Sequence, residues 1–233
     1  MNELEIGFSA SATRREQLNE LMEQIMGTYS VSDDEGPLTD AVEAFLNKQQ
    51  HLTVRRHGDT LVASTNFGCE CRVILAGHLD TVPVIDNFPP RWLEPGDPLI
   101  REDVAAGHGR ERVIWGRGAT DMKGSDAVMM YLAAALTDAK YDLTYVFYDH
   151  EEVAAEKNGL RKVVEAHPDW ISGDFAIIGE PTDCGIEGGC NGTMRFDVIT
   201  HGIAAHSARA WMGRNAIHAA AEILSRLNAY ENR

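Results

Sequence analysis

Val73-Ile74-Leu75-Ala76-Gly77-His78-Leu79-Asp80 is an apolar run that ends in a glycine, a histidine and an acid. Four consecutive apolar residues closed by a glycine read as a strand covered on both faces, the habit of parallel sheets. Two later stretches repeat the plan. Leu143 to Tyr148 runs into Asp149-His150-Glu151-Glu152, and Phe175 to Ile178 runs into Gly179-Glu180-Pro181. Helix-like segments, Gly124 to Leu136 and Leu160 to Ala166, alternate with these strands. Such alternation predicts an α/β layered domain, its central sheet mostly parallel and flanked by helices.

Working outward, Leu18, Leu21, Met22, Ile25 and Met26 fall on one helical stripe. Asp33-Asp34-Glu35-Gly36-Pro37 breaks that helix, and Leu38, Val42, Phe45 and Leu46 resume the spacing. From Leu52 the pattern turns strand-like, with Thr60 to Ser64 rich in strand formers. Pro83 to Arg112 holds five of the eight prolines and reads as a long irregular excursion on a functional rim. After Glu180 the character shifts to glycine-rich chain (Gly185, Gly188, Gly189, Gly192). A strand from Thr193 to Thr200 and a helix from Asn215 to Leu227 are expected to follow. The expected division is therefore a larger domain over 1–187 and the start of a smaller α+β unit over 188–233, too small to bury a core alone.

The 233 residues carry 21 Lys+Arg against 36 Asp+Glu, a formal net charge of −15. That balance argues against unaided binding to nucleic acid or an anionic membrane, both of which favour basic surfaces. The strongest apolar stretch, Ala127 to Leu136, is shorter than the ~20 residues a bilayer span needs. The opening Met1-Asn2-Glu3-Leu4-Glu5 lacks the basic and apolar regions of a signal peptide, so a cytoplasmic location is expected. Cys69, Cys71, Cys184 and Cys190 are too few for a disulfide scaffold, and Cys69 and Cys71 read as reduced thiols rather than a metal pair.

The chemistry lies in where the acids and histidines stand. In open α/β sheets ligands bind outside the carboxyl ends of the strands. The three clusters that close the apolar runs are thereby expected to converge. Gly116-Arg117-Gly118-Ala119-Thr120-Asp121-Met122-Lys123-Gly124 adds an acid in a glycine-flanked loop before a helix. One imidazole and several carboxylates suit Zn²⁺, Mn²⁺ or Co²⁺. Crowded carboxylates repel unless cations neutralise them, and a two-metal hydrolytic site would do so. Asp80, two residues after His78, is placed to hold the second imidazole N–H. Of Glu151 and Glu152, one could ligate metal while the other handles a proton. Taken singly, a His-x-Asp, a pair of glutamates or a Gly-Glu-Pro is an ordinary turn or surface feature. Their shared place at strand ends is what gives them weight.

His78-Leu79-Asp80-Thr81-Val82-Pro83, the Gly116–Gly124 loop, Glu151-Glu152 and Gly179-Glu180-Pro181-Thr182 resemble, in order, the motifs of the M20 family of metallohydrolases. The resemblance covers roughly residues 10 to 230 and includes the runs Tyr148–Val153, Ile186–Phe196 and Gly202–His218. It implies two zinc ions, replaceable by cobalt or manganese. Asp121 would bridge them, His78 and Glu180 would complete one ligand set, and Glu152 would bind the other ion. Glu151 would be the general base and Asp80 would orient His78. His206 would polarise the scissile carbonyl across a dimer, whereas His150 is not among the implied ligands. The implied activity is hydrolysis of the amide in N-succinyl-L,L-2,6-diaminopimelate, a small-molecule substrate. An aminoacylase or metallopeptidase would use the same motifs. The full-length family is homodimeric and longer, and supplies a last histidine from a returning segment. No histidine follows His218 here, so the expectation is a truncated chain with an incomplete second metal site, active or inert.

Overall fold

The computed structural model describes residues 5–108, 111–183, 185–189 and 194–230. Cys184, Cys190, Gly192 and Thr193, singled out above, lie outside them. The chain forms two compact units, Met1–Gly185 and Ile186–Arg233.

In the first unit the elements run α1 (Arg14–Gly27), α2 (Gly36–Asn47), β1 (Thr53–His57), β2 (Thr60–Ser64) and β3 (Arg72–His78). They continue with β4 (Arg91–Leu93), α3 (Glu102–His108), β5 (Val113–Trp115) and α4 (Lys123–Ala135). The unit closes with β6 (Asp142–Tyr148), α5 (Gly159–Ala166), a 3-10 turn (Pro168–Ile171) and β7 (Phe175–Ile178). Local chemistry explains several boundaries. At Thr13 a capping box starts α1: its hydroxyl accepts from the Glu16 amide while the Glu16 carboxylate accepts from the Thr13 amide. Pro37 sits in the first turn of α2, where its missing N–H costs nothing. Asn158 caps α5 by accepting from the Arg161 amide at 3.0 Å.

A five-stranded sheet in the order β1-β2-β6-β3-β7 is the spine. β6, β3 and β7 are mutually parallel, while β2 is antiparallel to both β1 and β6. Four of the five strands therefore point one way, as the alternating pattern predicts. Leu61, Ala63, Leu143, Tyr145 and Phe147 face one core with α1, α2 and α4. Val62, Ile74, Ala76, Val146 and Tyr148 face a second with Val163 of α5. Helix α4 buries Met129, Met130 and Ala133 but leaves Val128 exposed, so it is covered on one side only. Gly77 permits its close approach: a β-carbon there would stand 2.5 Å from Asp126 Oδ1, 2.6 Å from Met122 Cε and 2.7 Å from Met129 Cε.

The excursion from Pro83 to Arg112 is more ordered than its prolines suggest. β4 pairs antiparallel with β5, and α3 lies between them in sequence. The ribbon is held by two cation–π contacts, Arg91 over Trp115 at 4.8 Å and Arg112 over Trp92 at 4.5 Å.

In the second unit a 3-10 turn (Ser207–Met212) precedes α6 (Ala216–Ala219) and α7 (Ala221–Asn228). The expected single helix is tightened at Ala220, whose amide bonds to the Ile217 carbonyl at 3.0 Å while its backbone stays helical. The strand expected over 193–200 is not formed at 194–200. A strand needs a partner for its amides, and the described residues of this unit offer only one isolated bridge, Ile203 to Arg214. No described residue of the unit is buried. No helix among the described residues is long and apolar enough to cross a membrane.

Candidate metal centre

The register of the parallel strands builds the site. His78 pairs with Tyr148 at the end of β3–β6, and Ala76 pairs with Ile178 at the end of β3–β7. Residues that follow these positions emerge side by side although far apart in sequence. His78 closes β3 and is 1% exposed; Glu151 and Glu152 follow β6, and Glu180 follows β7. Asp121 comes from the glycine-flanked loop before α4.

His78 is held at one nitrogen and presented at the other. Its Nδ1 lies 2.9 Å from the Asp80 carbonyl oxygen and 3.5 Å from Asp80 Oδ1, so the single N–H points to the carbonyl. Nε2 then faces Asp121 Oδ1 at 3.0 Å and Glu180 Oε1 at 3.9 Å. Burial alone would lower the pKa of His78. The Asp80 interaction and the charges of Asp126, Asp80 and Glu180 outweigh it and push the value up to about 10.

The Asp80 carboxylate, fully buried, is used elsewhere. Its Oδ1 accepts from the Glu151 amide at 2.9 Å, and its Oδ2 accepts from the Glu152 amide at 3.1 Å and from Ser32 Oγ at 2.6 Å. Against the opposing effect of burial, the interaction with His78 and then those bonds keep its pKa low. Spacing placed Asp80 beside His78. It gave no sign that the carboxylate would brace the turn bearing both glutamates.

Two donor groups result, His78 with Asp121 and Glu180, and His78 with Glu151 and Glu152, the ligand atoms of each lying within 4.8 Å of one another. Burial and then the Asp121 charge raise the pKa of Glu152. Burial raises that of Glu180, reinforced by Asp121, Glu151 and Glu152 against the opposing pull of His78. Acids that resist ionising beside one another gain from a cation in their midst, and one imidazole with four carboxylates is a donor set for a borderline or hard divalent ion. The residues fit a metal. Asp121 keeps its side chain half exposed, which leaves the centre open to a small molecule.

His206 belongs to the second unit, where its Nδ1 accepts from the Ala208 amide at 3.2 Å and caps the 3-10 turn. Cys69 and Cys71 are free thiols, and Cys69 Sγ donates to the Ala139 carbonyl. Sequence reasoning missed Ser32, Asp126 and Lys123. Asp126 is wholly buried under the site with neither oxygen partnered among the described residues, and burial pushes its pKa up to about 8. Lys123, equally buried, donates to the carbonyls of Ile25 at 2.9 Å and Thr28 at 3.0 Å. Their amphipathic helix offered one signal, a charge on its apolar face.

The model of peptidase family M20/M25/M40 matches residues 74–229. A putative succinyl-diaminopimelate desuccinylase DapE of Mycobacterium tuberculosis is 43% identical over 92% of this chain and 56% of its own length. The succinyl-diaminopimelate desuccinylase of Corynebacterium glutamicum is 38% identical over 91% of the chain and 54% of its own. The chain thus spans about half the length of the curated relatives it matches. Among solved structures, a tripeptidase from Staphylococcus aureus superposes with a TM-score of 0.59 at 17% identity, over 90% of this chain and 55% of that one. Aminopeptidase PepT from Bacillus cereus gives 0.55 at 15% identity, over 91% and 56%. These two share the fold.

Proposed function

Because the chain belongs to peptidase family M20/M25/M40, we propose that its site serves metal-dependent hydrolysis of the amide in N-succinyl-L,L-2,6-diaminopimelate, giving succinate and L,L-diaminopimelate. One observation carries the reading: His78, Asp121, Glu151, Glu152 and Glu180, drawn from four separate stretches of sequence, meet at the carboxyl ends of parallel strands. The identity to two desuccinylases supports the choice of acyl group.

Two zinc ions are proposed, with cobalt or manganese as substitutes. Asp121 would be shared between them, His78 and Glu180 would hold one, and Glu152 the other. Such ions, when bound, polarise a carbonyl and ease deprotonation of water. Glu151 takes a proton from the water that attacks the succinyl carbonyl carbon. When the C–N bond breaks, the same carboxylate returns the proton to the leaving amine. Asp80 fixes Glu151 and Glu152 through their amides and His78 through its carbonyl. In a homodimer, His206 would reach across to the other protomer's site and polarise the scissile carbonyl as charge develops on its oxygen. A homodimer in the cytoplasm, acting on a small molecule, completes the proposal.

The test is a rate comparison on N-succinyl-, N-acetyl- and peptide-linked substrates with zinc added. The succinyl substrate should be turned over fastest. A preference for the acetyl substrate would make the protein an aminoacylase, and a preference for the peptide would make it a peptidase.

A further inference from the structure

The turn that carries Glu151 and Glu152 is built in an unusual way. Four successive amides, those of residues 149 to 152, donate to side chains rather than to a neighbouring strand. Asp149 N–H reaches Thr60 Oγ1 at 3.4 Å, His150 N–H reaches Glu35 Oε1 at 3.2 Å, and the next two go to Asp80. The acceptors come from three places in the chain: β2, the start of α2, and the segment after β3. Each fixes one step of the backbone just where β6 ends.

His150 is the hinge of this arrangement. Its φ is +58°, the left-handed region that favours glycine. A non-glycine residue stays there only when its surroundings over-determine it. Here they do. The imidazole Nδ1 lies 2.6 Å from Asp149 Oδ2 and 3.4 Å from Glu35 Oε1, while Nε2 lies 3.0 Å from Asp33 Oδ1. Lys157 Nζ closes the far side on Asp33 at 2.7 and 2.8 Å. Glu35 is 1% exposed, and its second oxygen has no partner among the described residues. A carboxylate that only capped α2 would have no reason to be buried in this way. It makes no side-chain cap bond to that helix at all.

We infer that Glu35 is a positioning residue: by accepting from the His150 amide it holds the left-handed turn that aims Glu151 and Glu152 at His78, with Asp33 and Lys157 latching the imidazole from outside. The inference rests on the reading of Glu151 and Glu152 given above, and deepens it. Asp33-Asp34-Glu35 reads in the sequence only as the break between two helices. Its service to a turn 115 positions away is visible in the fold alone.

Amide hydrogen exchange on the metal-free chain tests it, with Co²⁺ titration followed by absorbance as the second readout. Glu35→Ala removes the acceptor; Glu35→Gln keeps a carbonyl oxygen in its place. In Glu35→Ala the amides of Glu151 and Glu152 should exchange roughly tenfold faster, with those of the β3–β6 ladder unchanged. Co²⁺ affinity should fall by roughly tenfold, the usual cost of loosening an outer-shell support. Glu35→Gln should sit near the parent in both. Unchanged exchange at Glu151 and Glu152 in Glu35→Ala overturns the inference. So does parallel acceleration of the β3–β6 ladder, which would mean general destabilisation, or a Gln variant as loose as the Ala variant. Failure of the parent chain to bind Co²⁺ sinks the metal-site reading instead, and leaves the exchange rates to decide the clamp.

Discussion

At the residue scale, Asp121 and Asp126 do opposite things with the same side chain. Asp121 stands half exposed against His78 Nε2, where a divalent ion would replace a proton. Metal-free protein titrated with Zn²⁺ should take up two ions, and Asp121→Ala should lose both if that residue is shared. Retention of one tight ion in the variant would show instead that Asp121 serves a single site. Asp126 is sealed beneath the centre and favours its neutral form. Its pKa rises from 3.8 in the unfolded chain to about 8 in the fold. Between those values the unfolded chain has released a proton that the folded chain retains, so stability falls as pH rises through this window. Asp126→Asn has no proton to lose. Its urea midpoint should drop less than the parent's between pH 5 and pH 7.5, and equal drops would refute the assignment. Asn also keeps a polar group in a cavity with few partners, so the pH difference, not the absolute stability, is the measure.

At the element scale, the packing of α4 on β3 is what brings Asp121 over His78. The absence of a side chain at Gly77 makes that packing possible. A methyl group there would meet two methionine methyls and the Asp126 carboxylate closer than van der Waals contact allows. Gly77→Ala should cost about 1–3 kcal/mol through overpacking, read from chemical denaturation. It should also weaken metal binding, because the residue adjoins His78 and displaces the helix that follows Asp121. A Gly77→Ala variant as stable as the parent would mean that the two methionine side chains simply swing aside. At the β1 edge of the sheet, β1 and β2 form a hairpin whose Arg56 binds Asp40, Glu43 and Asp59. That cluster ties α2 to β1 and so carries the segment bearing Glu35 into place.

At the scale of the whole molecule, the two units differ in how they are held. The first has two apolar cores, one on each face of its sheet. The second leaves Met194, Phe196, Trp211, Ile217 and Tyr230 exposed, and none of its described residues is buried. Local opening should therefore be cheap in the second unit and costly in the first. Limited proteolysis of the chain should cut within residues 186–230 first and leave a resistant fragment of the first unit, as mass spectrometry would show. Early cuts inside β3 or β6 would contradict this picture. The formal charge of −15 bears on the same scale. The carboxylates of the candidate metal centre sit in a molecule already negative, which favours capture of divalent cations.

Much of this was open to reading from sequence. Apolar runs ending in Gly77-His78 and Asp149 announce covered parallel strands, because a strand packed on both faces has no polar side to alternate with; the run ending at Gly179 pairs in parallel too, but its four residues are exposed. The position of acids at the ends of those runs announces a site, because parallel strands deliver their carboxyl ends to one edge. Other features depended on tertiary contact. The β4–β5 ribbon pairs two short segments some twenty residues apart and sets two arginines over two tryptophans, a pairing no local period encodes. Residues 194–200 form no strand because strand propensity needs an edge to pair with. Asp80 proved to brace a turn as well as to touch His78, since a buried carboxylate accepts from whichever amides the fold brings to it. Glu35, Asp126 and Lys123 drew no notice as charges in ordinary helical or turn segments. Periodicity reports which face a residue occupies. Which buried group meets which across the core is set only when distant segments pack, because hydrogen bonds act over about 3 Å and the sequence separations here run to over a hundred residues.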